Sequence, residues 1–169
     1  MNKRIILGAD PFGFLLKERI KKYLISKGYK VKDVGTLSES EPVDYYIVGY
    51  RVGKAIADKE YEKGIVFCGT GMGVNIVANK FPGVYCGMCE SVQAASLCRS
   101  INNCNVLSMG GLFNTPYEAQ KMLDAFLNTD FTAGFPEADP KFLKDAYCEV
   151  GRLEEQIFKS YGNKFMPKH

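Results

Sequence analysis

The sequence predicts an α/β protein, a Rossmann-like three-layer sandwich whose five-stranded parallel sheet is covered by helices on both faces. Short apolar runs recur five times, at Arg4–Leu7, Tyr29–Val34, Gly64–Cys68, Val84–Cys89 and Asn105–Met109. Between them lie stretches whose apolar residues return at helical spacing. Strict alternation of strand and helix calls for a parallel sheet with both faces buried.

Each element follows from its residues. Arg4 to Leu7 ends at Gly8-Ala9-Asp10, after which Phe12, Leu16, Ile20 and Leu24 repeat at helical spacing with lysines on the other face, until Gly28 stops the helix. The second strand closes at Gly35 and a polar loop runs from Thr36 to Val43. Asp44 is a candidate N-cap for a helix carrying Val48, Val52, Ala55 and Ile56. The third strand runs into Gly69-Thr70-Gly71-Met72-Gly73, and a short helix follows to about Lys80 before Phe81-Pro82-Gly83 turns into the fourth strand. Ser91 caps a helix through Ile101. Thr115-Pro116 opens another, with Ala119, Met122, Leu123 and Phe126 inward. Beyond Asp139-Pro140 a last helix carries Ala146, Val150, Leu153 and Ile157. With both sheet faces already covered, its apolar stripe is expected to pack on a dimer partner. No repeat or linker divides the chain, so residues 1–169 read as one domain.

Composition narrows the class. With 46% hydrophobic and 24% charged residues the chain is neither disordered nor a coiled coil. A net charge of +3 is too mild to imply nucleic acid, and no apolar run approaches the ~20 residues that span a membrane. The N-terminus lacks the roughly 7–15 apolar residues of a secretory leader, so a cytoplasmic protein with reduced thiols is expected. Cys86-Gly-Met-Cys89 spells C-x-x-C, but on a strand residues three apart face opposite ways and make a poor chelate. The only histidine is His169, so neither a histidine zinc site nor a Ser-His-Asp triad is expected. A general base has to come from Cys, Asp, Glu, Lys or Tyr.

Open parallel sheets bind ligands beyond the carboxyl ends of their strands, where strand order reverses; in the order 2-1-3-4-5 that point lies between strands 1 and 3. The residues at those two ends are Asp10 and Cys68. Cys68-Gly-Thr-Gly-Met-Gly73 places three glycines between strand and helix, so backbone N–H groups can approach an anion: a phosphate, a carboxylate or a developing enediolate. The spacing fits neither dinucleotide nor P-loop signatures. Thiolates are favoured at such turns, which suits a general base. On spacing alone Cys68 is also readable as a small buried thiol, Asp10 as a turn cap, and Asn102 as ordinary turn chemistry.

Several blocks in order, Gly8-Ala9-Asp10-Pro11-Phe12-Gly13, Gly35-Thr36, Asp44-Tyr45, Cys68 to Gly73, Ala78-Asn79-Lys80-Phe81-Pro82-Gly83 and Asn102 to Met109, resemble the ribose-5-phosphate isomerase B and galactose-6-phosphate isomerase family over residues 3–127. Residues 128–169 then form a C-terminal extension. The resemblance implies a homodimer or dimer of dimers that interconverts aldose and ketose sugar phosphates, as in the pentose phosphate pathway, without metal or cofactor. It gives Cys68 the role of base. Gly69, Gly71 and Gly73 line the enediolate hole, Thr70 handles the second proton, and Asp10, Tyr45 and Asn102 hold the sugar, Asn102 reaching across from the partner subunit.

The departures matter as much. Pro11 stands where the family often has histidine, Ile101 replaces its ring-opening histidine, and Leu112 aligns with an arginine. The phosphate-binding arginine of the C-terminal stretch has no counterpart, leaving Arg152, Lys141 or Lys144 as substitutes. A sugar-phosphate isomerase is therefore expected, with an isomerase of an unphosphorylated sugar or an open-chain keto-uronate as the alternative, for which losing the histidine costs nothing. A non-catalytic subunit is disfavoured because Cys68 and Thr70 are retained. A redox protein using Cys86 and Cys89 is disfavoured by their strand spacing.

Overall fold

Neighbouring residues of β1 (Arg4–Ala9) and β3 (Gly64–Cys68) face opposite layers in the computed structural model, which describes residues 3–162. Ile5, Leu7, Ala9, Ile65 and Phe67 point into one core, and Ile6, Val66 and Cys68 into the other. The period of two is that of a strand buried on both sides. The first core is closed by α1 (Phe14–Ser26), α4 (Val92–Ser100) and α5 (Pro116–Asn128), the second by α2 (Tyr45–Ala57) and α3 (Met72–Ala78). Each large apolar side chain so buried contributes about 1.5–3 kcal/mol. All six cysteines are free thiols, so these two layers hold the fold without crosslinks.

The sheet is completed by β2 (Lys30–Asp33), β4 (Cys86–Met88) and β5 (Val106–Gly110), all paired in parallel in the order β2-β1-β3-β5-β4. The expected order placed the fourth strand beside the third, and burial explains the difference. All five residues of β5 are buried, as a central strand requires, whereas β4 is three residues long and only partly buried, as suits an edge. The reversal between β1 and β3 survives, and Gly110 now lies opposite Cys68.

Caps are largely where the sequence puts them. Ser91 accepts the Ala94 N–H, and Thr115 with Glu118 makes a full capping box ahead of Pro116. Asp44 does stand at the start of α2, but its carboxylate accepts the Tyr46 hydroxyl instead of capping. Lys17 departs from the expected solvated face of α1. It is fully buried and donates to Asp33 at 2.7 Å and to the Thr36 carbonyl at 2.5 Å. Cys86 and Cys89 fall in different cores, the opposite facing expected of a strand.

The last helix, α6 (Pro140–Tyr161), buries only Leu143. Val150, Leu153, Ile157, Phe158 and Tyr161 stay exposed and, with Asn79 and Lys80, line an apolar groove. It is fastened to its own chain by Glu154, which accepts the Gly83 N–H, and by the Tyr147 ring against Tyr85. No helix among the described residues is long and apolar enough to cross a membrane.

Candidate active site

Asp10 follows directly on β1, and Cys68 ends β3. The first turn of α1 draws the two strand ends together: a Cβ on Gly13 would stand 2.7 Å from Cβ of Phe67, so only glycine allows this approach. The Asp10 carboxylate is buried and accepts the Gly13 N–H at 2.9 Å. Burial pushes its carboxyl above the ordinary aspartate range, against the lowering effect of the Gly13 and Phe12 N–H groups, and nearby Asp44 pushes the same way as burial.

The Cys68 sulfur is nearly enclosed and accepts the Gly71 N–H at 3.1 Å. Gly71 has φ +80°, and a Cβ there would lie 3.0 Å from the Met109 carbonyl carbon, so the turn needs glycine twice over. Ser108 on β5 fixes the same residue from the other side, its hydroxyl donating to the Gly71 carbonyl at 2.5 Å. The Cys68 carbonyl accepts the Gly111 N–H at 2.8 Å, and Gly69 accepts that of Leu112 at 2.9 Å, so the loop after β5 borders the cleft.

Tyr45 closes a second side. A Cβ on Gly73 would fall 2.7 Å from Cδ2 of its ring, so the ring lies directly on the glycine turn. Phe12 and Leu112 flank Gly69, each 3.3 Å from where its Cβ would be, and both are largely exposed. Thr70 accepts the Met72 N–H and remains partly open. One chain thus brings together Asp10, Tyr45, Cys68, Gly69, Thr70, Gly71 and Gly73. Phe12 and Ser108 were not foreseen. Phe12, expected on the apolar stripe of the first helix, instead lies exposed before α1, and Ser108 is on β5, the strand that proves to neighbour β3.

Asn102 and Arg152 do not join them within a chain. Asn102 precedes β5, whose other end meets Cys68, so it lies at the opposite edge of the sheet. There it is exposed and, with Ile101, Tyr85 and Val150, lines a cavity of about 200 Å³ against α6. Arg152 lies on α6, its guanidinium gripping Glu149 through two nitrogens, Nε at 2.9 Å. Lys141 pairs with Asp145 in the same exposed fashion. His169 lies outside the described residues. Among the described residues no group of three or more His, Cys, Asp or Glu is placed to hold a metal ion.

The class that fold and comparison define is an aldose–ketose isomerase on an open α/β sheet. Residues 5–139 match the family model described as Ribose/Galactose Isomerase, and the chain belongs to that family. It is 43% identical over 156 residues to a 4-deoxy-4-sulfo-D-erythrose isomerase of Clostridium sp. (strain MSTE9), covering 92% of this chain and 98% of that protein. It is 35% identical over 145 residues to a D-erythrulose-4-phosphate isomerase of Pectobacterium atrosepticum, covering 86% and 94%. Ribose-5-phosphate isomerase B of Clostridium thermocellum superposes with a TM-score of 0.82 at 33% identity, covering 90% and 98%.

Proposed function

We propose that this chain isomerises a short open-chain sugar whose terminal carbon carries a strong anion, sulfonate or phosphate ester, through a cis-enediolate formed by Cys68. The observation that carries the reading is that the chain keeps the Cys68–Gly71 turn but has Ile101 where the family resemblance expects a ring-opening histidine. A four-carbon aldose closes a five-membered ring through its C4 oxygen. Where C4 bears a sulfonate, or its oxygen is esterified, that ring cannot form and nothing needs opening. The names of two relatives, a 4-sulfo-erythrose and an erythrulose 4-phosphate isomerase, describe substrates of this kind.

The Cys68 thiolate removes the C2 proton of the aldose. The electron pair forms the C1=C2 bond, and the carbonyl electrons move onto O1. The resulting enediolate meets the remaining N–H groups of the Gly69–Gly73 turn, those of Gly71 and Met72 being taken by the Cys68 sulfur and the Thr70 hydroxyl. Thr70 passes the O2 proton to O1, and Cys68 returns its proton to C1, giving the ketose with no net oxidation. Asp10 and Tyr45 hold hydroxyl groups from the two sides of the turn. Asn102, at the far edge of its own sheet, completes the site of a second chain in a homodimer. Arg152 or a neighbouring lysine of that chain supplies the charge for the substrate anion.

A substrate panel read by product NMR tests this: 4-deoxy-4-sulfoerythrose, erythrulose 4-phosphate, ribose 5-phosphate, galactose 6-phosphate and an open-chain keto-uronate. The four-carbon anions should show the highest kcat/KM. Ribose 5-phosphate turned over as well as either would overturn the reading.

A further inference from the structure

Four of the six thiols gather around β4. Cys86, Cys89 and Cys104 are buried and Cys98 is half-buried. Two of them converge on one point: a Cβ on Gly87 would lie 3.3 Å from the Cys98 sulfur and 3.4 Å from the Cys104 sulfur. Gly87 has no side chain, so nothing of its own stands between the two sulfurs. Their backbones are also tied, the Cys104 N–H donating to the Cys98 carbonyl at 3.0 Å. A direct bond of that kind holds two residues within roughly the 4.4–6.8 Å between Cα atoms that a disulfide spans. The turn they bracket carries Ile101 and Asn102 and contains Asn103 at φ +50°.

Arg99 lies inside this turn. Its Nη1 donates to Asn103 Oδ1 at 2.9 Å and to the Cys104 carbonyl at 2.6 Å, while its buried Nε has no acceptor among the described residues. An under-satisfied guanidinium beside two thiols is the electropositive surrounding that marks reactive cysteines. Hydrogen bonds from the Cys104 and Cys89 thiols, with Arg99 beside them, pull the Cys98 thiol below its ordinary value, whereas burial pushes Cys86 up to about 12. The Cys98 sulfur also faces the Ala95 carbonyl at 3.3 Å.

We infer that Cys98 and Cys104 form a peroxide-oxidisable dithiol whose disulfide locks the 98–104 turn and withdraws Asn102 from its working position. The Cys98 thiolate attacks the O–O bond of a hydroperoxide; the bond breaks, sulfenic acid forms, and the leaving oxygen takes a proton. The Cys104 thiol then attacks the sulfenic sulfur; the S–S bond forms, the S–O bond breaks, and the Cys104 proton leaves with the hydroxyl as water. Two electrons leave the thiol pair and reduce the peroxide. Cys89 is the weaker resolving partner, because no backbone bond ties it to Cys98 as one ties Cys104. The effect on activity rests on the proposed role of Asn102, whereas the disulfide itself does not.

Hydrogen peroxide added to the reduced full-length protein tests both parts by intact mass, peptide mapping and isomerase rate. The expected result is a loss of about 2 Da with a Cys98–Cys104 crosslinked peptide, since a disulfide differs from two thiols by two hydrogens. The rate should fall about tenfold, as for loss of one substrate hydrogen bond. Dithiothreitol should restore it, and Cys98→Ser should keep its rate through the treatment. A Cys89–Cys98 crosslink, or none, overturns the dithiol. Inactivation that persists in Cys98→Ser places the damage at Cys68 and overturns the switch, as does a complete Cys98–Cys104 crosslink with an unchanged rate. The map on wild-type protein needs no variant and no active substrate, so failure of the proposed substrate class would leave the dithiol fully tested.

Discussion

The Gly71 amide points at the Cys68 sulfur across 3.1 Å, while its own carbonyl is pinned by Ser108 on the neighbouring strand β5. The thiol and the glycine turn are therefore one rigid unit, seated where β3 and β5 end side by side. Cys68→Ala should lower kcat by ~10³-fold or more, the range for removing a positioned base, with the thermal midpoint little changed. Gly71→Ala should lower both, because an L-residue held at φ +80° costs about 1–2 kcal/mol and its Cβ would press on the Met109 carbonyl carbon. Near-normal isomerisation by Cys68→Ala would remove the thiol from the mechanism.

Asp10 should show the opposite relation between stability and activity. Burial raises its carboxyl above the ordinary value, so the folded chain holds that proton more tightly than the unfolded chain does. A carboxyl raised in this way contributes stability that is fully present below its unfolded value of roughly 3.9 and is lost as pH rises through its folded value. At pH 7 the ionised group is a cost. Asp10→Asn, which keeps an oxygen for the Gly13 N–H, should raise the melting temperature at pH 7 and lower kcat/KM, the thermal gain shrinking as pH approaches 4. Calorimetry at the two pH values checks the sign. A variant less stable at pH 7 than wild type would show that the carboxylate is held by its hydrogen bonds rather than strained by burial.

The meeting of Asp10 and Cys68 was legible because it depends on topology: whichever way β4 and β5 are ordered, the reversal falls between β1 and β3. The order of β4 and β5 was not. Both runs read as apolar strands, and the edge is decided by how much of each the helices cover, a tertiary quantity. Lys17 hid for a related reason. Its charge reads as solvent-facing, yet it sits between Leu16 and Ile20 on α1, and the end of β2 brings Asp33 and the Thr36 carbonyl to its ammonium. That contact braces the strand end beside Asp10, since the Thr36 N–H donates to the Ala9 carbonyl at 2.8 Å. The glycines were legible as a turn, but that Gly73 serves the Tyr45 ring needed the packing.

The separation of Asn102 from Cys68 gives a test of the shared site. If each site takes Cys68 from one chain and Asn102 from the other, Cys68→Ala and Asn102→Ala homodimers are each impaired at both sites. Mixed after reversible dissociation, they should form heterodimers with one intact site and one doubly defective. Random pairing makes half the dimers heterodimers, so about a quarter of wild-type activity should return in an isologous pair. No recovery in a sample shown by native mass spectrometry to contain heterodimers would mean that each chain builds its site alone. A stable monomer in sedimentation at micromolar concentration would also exclude the arrangement, leaving the apolar stripe of α6 to be explained otherwise.

Ile101 carries the sharpest consequence. Opening a cyclic sugar requires a proton to move between the ring oxygen and the anomeric hydroxyl, which an imidazole with a pKa near 6.5 does well at neutral pH. Isoleucine cannot, and Phe12 and Leu112 put apolar side chains at the mouth of the cleft. Ile101 is only partly buried and lines the cavity beside Asn102, so an imidazole fits there without an unpaired group sealed in the core. Ile101→His should therefore raise kcat/KM for ribose 5-phosphate and leave that for a four-carbon substrate blocked at C4 nearly unchanged. The ratio between the two substrates, measured on wild type and variant at the same pH, is the quantity to compare, because a general effect on folding or assembly cancels in it. An equal rise or fall on both substrates would show that ring opening is not what separates them, and that chain length or the seat of the anion sets the preference instead.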